Sequence, residues 1–179
     1  MIREFNGKAP KIHPTAFVSE AAYVVGDVEI GANSSIWPGA VIRGDSHKIV
    51  IGENVNIQDN CVLHADSDAH YGDFVTLGHR VMCHARTVGT HTLIGNGAVV
   101  NGDADIGEYS IIASGAVVLD RMVIPPRSFV TGVPAEVKRE TSERHEQLAR
   151  GTAEGYAKTG RLFREQGLGD VPAQFLMTE

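Results

Sequence analysis

From Ile12 to Val130 an apolar, mostly aliphatic residue returns every sixth position, a period too short for paired helices and too regular for a sandwich of independent strands. Counting from Ile12, the beat falls on Val18, Val24, Ile30, Ile36 and Ile42, then on Ile51, Ile57 and Leu63. It continues through Tyr71, Leu77 and Cys83, then Val88 and every sixth residue to Val130. Sixteen of the nineteen steps are six residues long; the other three, of nine, eight and five residues, bracket His64, His79 and His84. A repeat this strict departs from its own rule where a site must be accommodated.

Four residues after most beats stands a small or β-branched residue, as at Ala16, Ala22, Val55, Cys61, Val81 and Ala98. One large and one small inward position per six residues describes a short strand and a corner. Glycine follows the beat at Gly31, Gly52, Gly78, Gly89, Gly95 and Gly107, where a tight turn is expected to need an unhindered backbone. The pattern therefore predicts a mainly β chain wound as a parallel β-helix with three hexads per turn, six to seven turns in all, about 4.8 Å apart. Periodicity does not fix the hand of winding. The repeat is expected to end at Gly132-Val133-Pro134-Ala135, where Pro134 removes a ladder donor, giving a β-helix domain over residues 1–138. Residues 139–179 are expected to form a helix, capped by Ser142 and running to about Gln166, followed by a loose tail. Gly151, Gly155 and Gly160 weaken that helix in isolation, so it should pack on the β-helix or a neighbouring subunit.

Net charge is −6 and there is no Lys/Arg run, so neither nucleic acid nor an anionic membrane is expected as a partner. The start, Met1-Ile2-Arg3-Glu4-Phe5, lacks a basic, apolar leader, and no apolar run approaches the roughly 20 residues of a membrane span. Two cysteines, Cys61 and Cys83, fall on inward positions and read as small core residues, so a cytoplasmic location is expected.

With three hexads per turn, residues eighteen apart lie above one another, corrected for insertions between them. Arg43 to His64 is eighteen plus three, His64 to His84 is eighteen plus two, and His84 to Asn101 is eighteen less one. All four follow a beat by one residue and form an outward column; Asp59, His79 and Asn96 stack in the same way on an adjacent face. Imidazoles on neighbouring rungs about 4.8 Å apart can both reach a Zn²⁺ at about 2.0 to 2.1 Å. His79, beyond a corner, is placed to supply a third ligand to a second copy packed alongside. Threefold symmetry closes such a contact, so a homotrimer with metal shared between subunits is expected.

The segments Arg43-Gly44-Asp45, Asn56-Ile57-Gln58-Asp59, Val62-Leu63-His64 and Gly78-His79, with His84 five residues on, resemble the gamma-class carbonic anhydrases and their close bacterial relatives. The resemblance covers about residues 10 to 135, and the stretch from Glu140 to Glu143 is similar to the start of the C-terminal helix of those relatives. It implies a left-handed β-helix trimer with zinc, or iron or cobalt, on His64, His79 and His84. It implies further that Gln58 orients bound hydroxide or substrate, and that Arg43, Asp45 and Asp59 form an ion-pair network across the trimer contact. A metal on three neutral histidines lowers the pKa of its water to about 7, so the implied reaction is hydration of CO₂ to bicarbonate.

Three departures from the family pattern stand out. The acidic loop that shuttles protons is shortened to Asp66-Ser67-Asp68-Ala69-His70, Ser46 follows Asp45 where a glutamate is usual, and Ala85 rather than glycine follows His84. Weak turnover is expected from the first, with His70 or Asp68 as substitute shuttles, and a narrower pocket from the last. Two alternatives stand beside CO₂ hydration: hydrolysis of an acyl-CoA thioester by the same metal chemistry, and a metal-binding trimeric scaffold with little catalytic activity. Acyl transfer, which needs one histidine as general base and no metal, is disfavoured by the three-histidine set.

Overall fold

The structure is a computed structural model and describes residues 1–178; Glu179, the last residue of the predicted tail, lies outside the described residues. The chain forms a parallel β-solenoid of about seven turns followed by one long helix. All twenty beat residues face inward and none is more than 2% exposed, and the small positions between them are buried too. Cys61 and Cys83 lie in this core as free thiols, and burial pushes the Cys61 thiol up to about 12.

Three faces result. The first stacks Val62–Leu63, Met82–Cys83, Val99–Val100 and Val117–Val118 on the start of the long strand Val41–Ile51. The second runs from Phe17–Val18 through Ser35–Ile36, Asn56–Ile57, Thr76–Leu77, Leu93–Ile94 and Ile111–Ile112 to Ser128–Thr131. The third continues the end of Val41–Ile51 through Ala69–Tyr71, Thr87–Val88 and Asp105–Ile106 to Val123–Ile124. All these pairs are parallel, because each strand returns to its neighbour only after a full turn. The nine-residue step is absorbed within the continuous strand Val41–Ile51, which bulges against Tyr23–Ile30 near Gly26.

The glycines after the beat serve a different purpose from the expected tight turn. A Cβ on Gly31 would stand 2.5 Å from the Gly52 carbonyl oxygen, and one on Gly107 would stand 2.3 Å from the Pro126 nitrogen. They are needed because successive turns approach closely, not because of a left-handed backbone. The left-handed conformation falls instead three residues after the beat, at Asn33, Asn54, Phe74, Arg80, His91, Asp103 and Tyr109, all with φ between 55° and 60°. Asparagine and aspartate tolerate that region; the aromatic and basic residues are held there by their neighbours. Phe74, His91 and Tyr109 stack at 4.7 and 5.0 Å, and the Arg127 guanidinium lies 5.0 Å from the Tyr109 ring.

The winding ends by reversal as well as by loss of a ladder donor at Pro134. After Pro134 the strand Glu136–Glu140 pairs antiparallel with Ser128–Thr131. The helix Glu143–Glu165 follows, with Ser142 at its N-cap and the Ser142 backbone N–H donating to His145 Nδ1 at 3.1 Å. It runs down the second face, burying Ala149, Ala153 and Gly160. Phe163 packs 5.6 Å from Phe17 and 5.0 Å from Trp37, ring centre to ring centre.

The segment after Gly167 is not loose. The Asp170 N–H donates to the Val18 carbonyl at 3.1 Å, the Met177 N–H donates to the Ile12 carbonyl at 2.8 Å, and Phe175 closes the first turn of the core. Polar spacing hid this, because the docking is carried by backbone groups and one aromatic. No helix among the described residues is long and apolar enough to cross a membrane.

Two substitutions test this packing. Gly107→Ala should cost about 2 kcal/mol or more, a Tm loss of about 4 °C or more in thermal unfolding. An unchanged Tm would contradict the close approach of the turns. Phe175→Ala should cost about 3 kcal/mol and open the tail to proteolysis, whereas a free tail would leave both stability and cleavage unaltered.

Candidate metal centre

The ladder sets the histidine column. Leu63 pairs with Ile42 below and Cys83 above, and Cys83 pairs with Val100, so Arg43, His64, His84 and Asn101 occupy one register position on consecutive turns. Backbone bonds hold the two imidazoles at that spacing: the His64 N–H donates to the Cys83 carbonyl at 3.3 Å, and the His84 N–H donates to the Val100 carbonyl at 2.9 Å. The rings lie 5.1 Å apart, tilted by 71°. With a carboxylate oxygen of Asp66 they offer three ligand atoms, all within 4.8 Å of one another, which fits two imidazoles converging on one divalent cation. Asp66 belongs to the shortened acidic loop and was not singled out as a ligand. Its position two residues after His64 on an outward bend is the signal that could have found it.

Each histidine also has a carboxylate of its own. Asp45 Oδ1 lies 3.0 Å from His64 Nε2, Asp66 Oδ2 lies 3.6 Å from His84 Nδ1, and Asp59 Oδ2 lies 3.0 Å from His79 Nδ1. Such partners fix ring orientation and tautomer in metal sites. Arg43 pairs with Asp45 in turn. Desolvation raises the Asp45 carboxyl, but hydrogen bonds from Arg43 and His64 and the guanidinium charge outweigh it, leaving Asp45 below the usual carboxylate range.

His79 stands apart from this group. It sits with Asp59 on the corner between the second and first faces, and its N–H donates to Asn96 Oδ1 at 3.0 Å. Within one chain the structure therefore brings together Arg43, Asp45, His64, Asp66 and His84, and separately Asp59 and His79. Gln58, beside Asp59, is buried: its Nε2 donates to Asn56 Oδ1 at 3.0 Å, and Asn56 Nδ2 donates to Thr76 Oγ1 at 2.8 Å. His70 lies on the third face, in register with Val50 and Thr87, away from the histidine column. Asp68 caps the Lys48 N–H at 3.0 Å. Ala85 is fully buried in the core, so its methyl fills the interior and does not narrow an outer pocket.

Comparison with known proteins agrees with the repeat. The family described as bacterial transferase hexapeptide (six repeats) matches residues 9–44 and 87–120. A carbonic anhydrase of Geobacillus kaustophilus is 38% identical over 166 residues, covering 92% of this chain and 91% of its own. The carnitine operon protein CaiE of Escherichia coli is 36% identical over 141 residues, covering 78% of this chain and 72% of its own. Among solved structures, a hexapeptide transferase family protein of Anaplasma phagocytophilum superposes with a TM-score of 0.88 at 35% identity, covering 91% of this chain and 98% of its own. With these relatives and with the register of its histidines and carboxylates, the chain belongs to the hexapeptide-repeat family that includes the gamma carbonic anhydrases.

Proposed function

We propose that this protein is a metal-dependent enzyme that hydrates CO₂ to bicarbonate at sites shared between copies of the chain. The observation that carries the reading is the His64 and His84 pair, held 5.1 Å apart by the ladder with a carboxylate on each ring. In this reading His64 and His84 of one copy and His79 of the next hold the cation, which is zinc or else iron or cobalt. A cation held there would supply a water that ionises near neutral pH. Asp45 and Asp59 keep the imidazoles of His64 and His79 in the ligating orientation. Gln58, its Nε2 given to Asn56, leaves its amide oxygen to orient water or substrate next to Asp59. Arg43 ties Asp45 in place and is set to reach Asp59 of an adjoining copy.

The surface supports that assembly. Tyr23, Val41, Val62, Met82, Val99 and Val117 stack in register as an outward column on the first face, and Tyr23 and Val62 are exposed. The third face presents a mostly polar column at the corresponding positions, Lys11, Glu29, Val50, His70, Thr87, Asp105 and Val123. An apolar stripe beside the histidine column marks the first face as a contact between copies. A heterologous contact of this kind closes on itself as a trimer. The free buried thiols of Cys61 and Cys83 fit a reducing cytoplasm. Acyl transfer, suggested by relatives such as the structure described as a putative acetyltransferase of Bacillus cereus, would leave the paired histidines and their carboxylates without a purpose.

Purified, metal-replete protein should carry about one divalent cation per chain by elemental analysis, and His64→Ala should reduce it below a third of that and remove CO₂ hydration. Hydration that survives His64→Ala intact would refute the reading. Asp59→Asn should cost about 10- to 100-fold in metal affinity or turnover. Val62→Lys should break the oligomer in light scattering. Mixing His79→Ala with His84→Ala subunits should restore some activity, because mixed trimers regain complete sites; no rescue would mean that one chain provides all the ligands.

A further inference from the structure

Three carboxylates stand beside the three histidines, and one of them is placed differently from the others. Asp45 Oδ1 and Asp59 Oδ2 lie 3.0 Å from His64 Nε2 and His79 Nδ1, at hydrogen-bond distance, whereas Asp66 Oδ2 lies 3.6 Å from His84 Nδ1, too far for such a bond. Donors bound at about 2.1 Å to one tetrahedral ion stand roughly 3.4 Å from one another, so this separation is close to that of two ligands. We propose that a single chain holds a divalent cation by itself on His64, His84 and Asp66, and that His79 of an adjoining copy takes the place of Asp66 when the shared site closes. This rests on the metal-site reading for the finished site and adds an order of events to it, capture before assembly.

The backbone aims Asp66 while leaving its carboxylate free. Ala65 and Ala69 are buried in the core, so only residues 66–68 bulge from the rung. The two residues that follow Asp66 are tied down: Ser67 Oγ donates to Asp103 Oδ1 at 2.5 Å, and Asp68 Oδ1 accepts the Lys48 N–H at 3.0 Å. Asp66 itself has no hydrogen-bond partner among the described residues, and its side chain is 58% exposed. The fold fixes where this carboxylate stands and makes no other use of it.

Gly102, next to Asn101 of the histidine column, keeps open the space that Asp66 occupies. A Cβ there would stand 2.7 Å from Asp66 Oδ2, and no other residue would come closer than 3.8 Å. Gly102 is not among the glycines with a left-handed backbone, so its missing side chain answers to that carboxylate. Charge explains why a carboxylate suits capture and an imidazole suits the finished site. Asp66 brings a negative charge to a dication that would otherwise have only two neutral imidazoles. A third neutral imidazole in its place leaves the full double charge on the ion, which is what acidifies bound water.

Full-length protein stripped of metal is titrated with cobalt(II) alone, with occupancy read by equilibrium dialysis and ligand identity by visible and near-ultraviolet absorption. His79→Ala, which removes the neighbour's ligand, should still take about one cobalt per chain. Adding Asp66→Asn to it should weaken binding by at least about 100-fold, beyond the roughly 10- to 100-fold expected of a residue that only orients a ligand. Adding Gly102→Ala instead should weaken binding too, because the new methyl displaces the carboxylate. Adding Asp66→Cys should bring a thiolate-to-cobalt charge-transfer band, which only a bound sulfur gives. In otherwise unaltered protein Asp66→Asn should stay within about three-fold of the parent, since His79 then fills the position; a loss of about 100-fold there would make Asp66 a permanent ligand and overturn the exchange. The proposal is also overturned if His79→Ala takes no cobalt while the parent does, if Asp66→Asn leaves His79→Ala binding unchanged, or if Asp66→Cys gives no band. A parent that takes no cobalt sinks the metal-site reading together with this one, whereas capture by His79→Ala in a protein whose parent never hydrates CO₂ removes the hydration reading and leaves this one standing.

Discussion

Everything functional in this molecule depends on the parallel ladder that holds one turn of the solenoid against the next. The inward residue of each hexad is buried to within 2% and the backbones approach so closely that glycine is obligatory at several contacts, so no turn can slide relative to its neighbours. A slip of one residue would move every inward side chain outward. The His64 and His84 rings inherit their spacing from this constraint rather than from any contact between themselves. The proposed metal site would need little local support on such a frame, because His64 and His84 are positioned by strands that the core already fixes.

Much of this was legible in the sequence. A six-residue beat with a small residue four positions on predicts an inward pair per hexad, and those residues are buried. The three irregular steps could be converted into a vertical register, and the pairing of Leu63 with Ile42 and Cys83 places His64 and His84 where the count put them. The signal was strong because the repeat is nearly crystalline in its regularity and an insertion shows up as a countable error.

What was not legible involved either close approach or docking of backbone. The glycines after the beat answer to the carbonyl or nitrogen of a turn eighteen or more residues away, a relation that local turn chemistry does not contain. The left-handed corners at Phe74, His91 and Tyr109 carry none of the usual residues, since the stacked rings stabilise one another across turns. The segment from Gly167 looked free because its attachment uses main-chain bonds to Val18 and Ile12. Asp66 was hidden for a similar reason: its meaning comes from the imidazole of His84, on the next rung.

The two ends of the solenoid have a consequence of their own. A parallel stack presents an open rung at top and bottom, each a template on which another molecule could continue the same winding. Here the second face of the last rung is covered by the reversed strand Glu136–Glu140, whose five side chains are all exposed and four of them charged, and the first rung is met by the returning C-terminal segment, with Leu176 bridged to Ile12. Growth along the axis is thereby obstructed at both poles while the flanks stay available, which disfavours end-to-end stacking into a fibre.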